Sequence, residues 1–314
     1  MWMVNGHTEF FEKGFQIKSF DSNSVLIVGG EPERDSSETL YTKPACNVKV
    51  LPFGVNSGHS LLLTAGDHKV LSCGGDYDHY NDICLEMNHQ TKQWTFHSRL
   101  THKRTFATAV SMPDGNYIFG GRGYDSKTTS DFLPKSSNIW EAGPTIPGNG
   151  ITYGCGVKIS YTEIVLIGGY DSKNVVIKYN TQTKQWTRMP NLKTGRYDHG
   201  CTLFNEKIIV SGGMNIWPNH LSSTEIIPLS TGVPRSGGNL KNARSAFGML
   251  TVGGRFPRVL ALGGQRIPDD AEMGSIEAWN DDKAEWTMAG SMKVPRYHFG
   301  YLALPESTIL CLKN

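Results

Sequence analysis

Val25-Leu26-Ile27-Val28-Gly29-Gly30 is an apolar strand that runs into two glycines. The event recurs at Val70-Leu71-Ser72-Cys73-Gly74-Gly75, then at Gly120-Gly121, Gly168-Gly169, Gly212-Gly213 and Gly263-Gly264. Successive pairs lie 44 to 51 residues apart. A period of this length marks a propeller or a solenoid built from one repeated supersecondary unit. Between the pairs, short runs of Val, Ile and aromatics alternate with turn residues at intervals of about 8–12 residues, which is an all-β pattern. Helical periodicity is absent.

Each copy has room for four strands, a to d. The fourth repeat reads most clearly: 154–159 is a, 163–169 is b, 175–179 is c and 184–188 is d. Trp94, Trp140, Trp186 and Trp286 follow a Gly-Gly pair by 17 to 22 residues and fall on strand d. Apolar strand, double glycine and downstream tryptophan together resemble the kelch family. The Trp-Asp signature of the other common propeller repeat is missing. The resemblance covers nearly the whole chain and implies a β-propeller of four-stranded antiparallel blades.

The chain ends decide the blade count. Met3 to Glu12 aligns with Lys178 to Thr187, so the N-terminus reads as strands c and d. Arg296 to Ala303 reads as a strand a, and Ile309 to Leu312 as a strand b. Pairing the two ends predicts seven blades and a ring with no open edge. The expected blades are 14–53, 54–98, 99–147, 148–192, 193–240 and 241–294, with a split seventh of 1–13 plus 295–314. Six blades with frayed termini is the alternative.

Composition narrows the function. Charged residues are 19% of 314 and the net charge is +2, without the basic stripe expected of a nucleic-acid binder. No apolar run reaches the ~20 residues that span a bilayer, so no membrane partner is expected. No leader pattern follows Met1 and no Asn-x-Ser/Thr sequon occurs; a cytoplasmic chain is expected. Cys46, Cys73, Cys84, Cys155, Cys201 and Cys311 form no Cys-x-x-Cys pair, and they read as reduced, buried thiols. The chain starts and stops at strands, which suggests a fragment or a minimal propeller.

The b–c and d–a loops share one face. The b–c loops (31–37, 76–82, 122–131, 170–174, 214–223 and 265–274) are long and dissimilar, as recognition loops on rigid scaffolds are. Arg196, Arg244 and Arg296 share one register at the mouth of strand a, and Arg104 reaches it with one residue of slip. A ring of guanidiniums suits bidentate capture of carboxylates or phosphates, and the kelch resemblance implies contact with acidic ligands. Each arginine could instead pair with a loop carboxylate such as Asp198 or Asp269. Tyr77, Tyr80, Tyr124, Tyr170 and Trp217 are candidate contact anchors in the b–c loops.

No His-Glu-x-x-His, Cys/His cluster or Gly-x-Ser-x-Gly appears, so neither metal, cofactor nor catalytic residue is assigned. His59 and His199 share a register with Tyr153, Phe247 and Phe299 and read as packed plates. The expectation is a non-catalytic protein-binding module. The resemblance implies substrate recruitment to a ubiquitin ligase, or actin binding, toward an acidic or polar segment. A propeller enzyme of the galactose-oxidase or sugar-epimerase type is the alternative.

Overall fold

The computed structural model describes residues 24–32, 37–40, 61–65, 69–75, 81–88, 91, 93–253, 257–266 and 271–304. Within them each Gly-Gly pair follows the second strand of an antiparallel sheet. Blade 2 is Leu61–Ala65, Lys69–Cys73, Ile83–Met87 and Trp94–Arg99. Blade 3 is Thr108–Met112, Gly115–Phe119, Ser130–Pro134 and Glu141–Ala142. Cys155–Lys158, Glu163–Ile167, Val176–Asn180 and Gln185–Arg188 make blade 4. Gly200–Phe204, Lys207–Ser211, Thr224–Pro228 and Arg235–Ser236 make blade 5. Blade 6 holds Gly248–Val252, Arg258–Leu262, Ser275–Asn280 and Glu285–Ser291.

Blade 1 closes the ring, and it corrects the blade count. Gly300–Leu304 pairs with Ser24–Val28, with Ser24 opposite Leu304 and Val28 opposite Gly300. Ser37–Leu40 continues the sheet. The strand expected to open a seventh blade is therefore strand a of the first. The described wheel has six blades, and the inner strands touch in one closed cycle. Residues 1–13 and 305–314, assigned to the split blade, lie outside the described residues.

Side-chain alternation explains why this strand pair is a blade centre rather than an edge. Leu26 and Val28 pack on Leu62, Val70 and Leu85 of blade 2. Val25 and Ile27 point the other way, onto Leu250, Leu260 and Leu262 of blade 6. A strand buried on both sides reads as a continuous apolar run. Six such clusters fill the six gaps between blades.

The double glycine is a crossing point. Gly212 and Gly213 have φ of 64° and 85°, left-handed angles that glycine takes at little cost. The Gly213 N–H donates to the Arg244 carbonyl of the next blade at 2.8 Å. A Cβ at Gly213 would sit 2.5 Å from the Tyr197 carbonyl oxygen. The strand-d tryptophans reach backwards: Trp286 Nε1 donates to Thr224 Oγ1 of blade 5 at 3.0 Å, and Trp140 Nε1 to Ser98 Oγ of blade 2 at 3.1 Å.

The cysteine expectation is also corrected. Cys73–Cys84 and Cys155–Cys201 are disulfides. The first joins directly opposed residues of strands b and c in blade 2. The second joins the inner strands of blades 4 and 5, with Cα atoms 6.0 Å apart. Burial that suits a free thiol equally suits a cross-link once two thiols face each other. Cys46 and Cys311 lie outside the described residues.

Candidate functional site

The four arginines do not line the loop face; they are inside the blades. Arg104, Arg196, Arg244 and Arg296 are each 0% exposed. Arg244 shows the pattern. Its Nη1 donates to the carbonyls of Gly263 and Ser275 at 2.8 and 3.0 Å, and its Nη2 reaches Glu277 at 2.7 Å. Arg196 repeats this with Gly212, Ser223 and Glu225, and Arg104 with Gly120, Thr129 and Asp131. Arg296 donates to the Gly29 carbonyl and lies 4.0 Å from Glu38. Arg104 occupies this place without any slip, since its own following residues match those of Arg196 in backbone angle.

The ion-pair partners are therefore strand-c carboxylates rather than Asp198, and Asp269 lies outside the described residues. Each also binds the incoming d–a crossover. Glu225 accepts the N–H groups of Lys193 and Thr194, and Glu277 those of Lys241 and Asn242. Desolvation pulls the guanidinium pKa of Arg104, Arg196 and Arg244 downward, and the adjacent carboxylate opposes it. Removing one partner would strand a charge in the blade, a loss of about 3–5 kcal/mol.

What the arginines hold outward is a second set of cations. Lys193, Lys241 and Lys293 each stand three residues before an arginine. Their backbone N–H groups are tied to Glu225, Glu277 and Glu38, and the residues are exposed. The aromatic candidates divide. Tyr124, Tyr170 and Trp217 are 90%, 56% and 60% exposed on the b–c loops, beside Ile216 at 64%. Tyr170 packs edge-on against Tyr197, with Lys173 Nζ over both rings. Lys173 Nζ also donates to the Asn215 carbonyl, linking this patch to the Met214–Ile216 and Asn219–His220 hairpin that carries Trp217. Tyr77 and Tyr80 lie outside the described residues.

The mouth of the central channel is built from one position per blade. Phe106, Tyr153, Asp198, Ala246 and His298 all take left-handed φ, between 51° and 56°. Their backbones form a belt: Tyr153 N–H donates to Phe106, Asp198 to Tyr153, Ala246 to Asp198 and His298 to Ala246, at 2.7 to 3.0 Å. The belt requires the angle, and glycine would meet it about 1–2 kcal/mol more cheaply per residue. The side chains converge. Phe106 stacks on Tyr153 with centroids 4.0 Å apart and meets His298 edge-on at 5.2 Å. His298 Nε2 lies 3.4 Å from Asp198 Oδ1. Beneath them is a cavity of about 920 Å³ walled by the inner strands. Burial, then the Asp198 charge, raise the pKa of neighbouring Tyr197.

A sequence profile of the Kelch motif matches residues 151–193. These span the entry to blade 4 and all four of its strands, where the repeat is most regular. One repeat of this β-propeller thus carries a Kelch motif. It is 22% identical over 84% of its length to Kelch-like protein 36 of Bos taurus, covering 46% of that protein. Kelch-like protein 41a of Danio rerio is 27% identical over 47% of this chain and 24% of its own. Alpha-scruin of Limulus polyphemus is 21% identical over 65% and 23% respectively. The chain thus spans less than half the length of these curated relatives. The solved structure of YjhT superposes with a TM-score of 0.73 over 87% of this chain and 96% of that one, at 13% identity, which bears on the fold alone.

Within this propeller, His199 is a packed plate. It occupies the place of Phe247 and Phe299, and a Cβ at Gly168 would sit 2.8 Å from its Cε1. Its ring nitrogens have no hydrogen-bond partner among the described residues. Burial, reinforced by the Arg196 charge, lowers its pKa to about 3. Tyr153 does not share this register; its left-handed φ places it with Asp198, one residue earlier. His59 lies outside the described residues. No group of three or more metal-ligating side chains occurs among the described residues. The lysine set and the mouth set were missed in the sequence. Lys-x-x-Arg in three consecutive repeats was the available signal for the first.

Proposed function

We propose that the propeller is a non-catalytic protein-binding module whose b–c/d–a face receives an acidic or polar segment of a partner. The carrying observation is the exposed patch of Tyr170, Ile216 and Trp217 on the same face as Lys193, Lys241 and Lys293. Aromatic anchors supply most of the energy at such surfaces, while rim charges steer encounter. The arginines contribute by fixing the loops, not by touching the partner.

Kelch propellers typically bind proteins, and substrate recruitment to a ubiquitin ligase or actin binding are the roles to test. Capture of partners from extract, identified by mass spectrometry, should be compared between wild type, Trp217→Ala and the triple Lys193→Glu, Lys241→Glu, Lys293→Glu. A specific partner should be lost from Trp217→Ala and captured more weakly by the lysine triple than by wild type, with a difference that shrinks as salt rises. A partner held equally by all three proteins contradicts the assigned face. Actin co-sedimentation tests the cytoskeletal role directly; a domain left in the supernatant at micromolar actin removes it. The disulfides bear on the setting, because cytosolic thiols are kept reduced. A chain whose two cross-links are present when thiols are blocked at the moment of lysis acts outside that setting, and the cytoplasmic expectation and the ligase role then fall together.

A further inference from the structure

The channel mouth carries side chains where its backbone favours none. All five described belt residues sit at φ of 51° to 56°, yet Phe106, Tyr153, Asp198 and His298 bear large or polar groups. The belt's hydrogen bonds use backbone atoms only, so glycine would complete it as well. The side chains are therefore not needed to close the ring. What they create is one carboxylate in a setting of aromatic faces and edges.

The arrangement has a chemical preference. Asp198 is the sole acid among the five belt positions, and its side chain is 11% exposed. Phe106, Tyr153 and His298 lie around it, with rings of opposite blades within 6.5 Å of each other. Ala246, the one small residue, stands between Asp198 and His298 in the belt, and His298 Nε2 spans it to within 3.4 Å of Asp198 Oδ1, leaving Oδ2 for a ligand. A carboxylate rimmed by aromatic rings attracts an organic cation through the charge and through the ring faces. The lysines nearby are turned elsewhere: Lys173 Nζ is on the Asn215 carbonyl, and Lys193, Lys241 and Lys293 belong to the outer crossovers.

We propose that the channel mouth binds an organic ammonium group, its charge on the Asp198 carboxylate and its carbon chain against Phe106 and Tyr153. The proposal leans on the loop-face reading for one point only, whether the ammonium belongs to a docked partner's lysine or to a free amine.

The test needs no partner. The isolated protein is titrated with n-butylammonium, which copies a lysine side chain, and with uncharged 1-butanol, following the His298 and Tyr153 ring signals by NMR. The amine should saturate at millimolar concentration, and the alcohol should not. Asp198→Asn keeps a side chain that tolerates left-handed φ, so it should fold and weaken amine binding tenfold or more. Asp198→Gly should lose amine binding with its melting temperature held or raised. Equal response to amine and alcohol, unchanged affinity in Asp198→Asn, or unfolding of Asp198→Gly overturns the proposal. Partner capture by Asp198→Asn then separates the sources: capture lost with amine binding points to a partner lysine, and capture retained points to a free amine.

Discussion

Blades 5 and 4 solve one problem in opposite ways. In blade 5 the crossover is pinned by Arg196 and Glu225, with Ser211 Oγ and Thr224 Oγ1 hydrogen-bonded 2.9 Å apart beside them. In blade 4 the same four places are Ile151, Ile177, Ile167 and Val176. The backbone does not notice: Gly169 N–H finds the Arg196 carbonyl at 3.0 Å, and Gly121 N–H finds the Ile151 carbonyl at 2.8 Å. Blade 2 offers a third solution. Cys73–Cys84 replaces the Ser–Thr pair, and Leu85 stands where the glutamate would be. A buried ion pair and an apolar cluster of like volume are close to interchangeable in stability, whereas half a pair is not.

The sharpest break of that equivalence is a single cut. Arg244→Leu should cost about 3–5 kcal/mol, because Glu277 would be left charged and 0% exposed. Equilibrium denaturation measures it. Converting the whole site to the blade 4 version, Arg244→Ile with Glu277→Ile, should return most of that loss, to within about 1–2 kcal/mol of wild type. If the double variant is as unstable as the sum of its singles, the two blades are not equivalent.

An effect that is small near neutral pH and grows on acidification is expected one position along strand a. His199→Phe copies blades 6 and 1. The folded imidazole has its pKa lowered to about 3 from the ordinary 6.5. Its neutral burial is therefore fully favourable above pH 6.5, and stability drains as pH falls from there towards 3. The slope for this one group is about 1.4 kcal/mol per pH unit. The phenylalanine variant should lose that slope when melting temperatures are followed against pH; an unchanged profile contradicts the packed-plate reading.

The smallest effect joins blades 5 and 6 at the opposite face. Burial pushes the Asp281 pKa up, but hydrogen bonds from Lys207, Asn205 and Trp279 outweigh it and the net shift is downward. Its contribution is therefore present above the ordinary carboxylate pKa and fades as pH drops through the lowered one. Asp281→Asn should cost about 1 kcal/mol or less near neutral pH, given its partial exposure. A larger loss in thermal unfolding would mean that the turns share more of the ring's stability than the blade cores.

The repeat, its four strands and the roles of glycine and tryptophan are legible in the sequence because they recur at fixed spacing. The blade count is not. Arg296 to Ala303 looks the same whether its partner is Ile309 to Leu312 or Val25 to Val28, since any apolar strand b accepts it. The site fails for a related reason. A recurrent arginine reads as a ring, but spacing carries no information on which side of a crossover a side chain points. The strand-c carboxylates that draw the arginines inward, Asp131, Glu225, Glu277 and Glu38, lie about 27–33 residues away or across the closure. Phe106, Tyr153, Asp198, Ala246 and His298 share no one residue type, only a backbone angle.

The division between inner arginines and outer lysines is tested most directly by residue-specific labelling of the native protein read by mass spectrometry. Phenylglyoxal should leave Arg104, Arg196, Arg244 and Arg296 unmodified while an amine-reactive ester labels Lys193, Lys241 and Lys293. Labelling of those arginines at a rate matching the exposed Arg122, in protein that remains folded, would contradict the account.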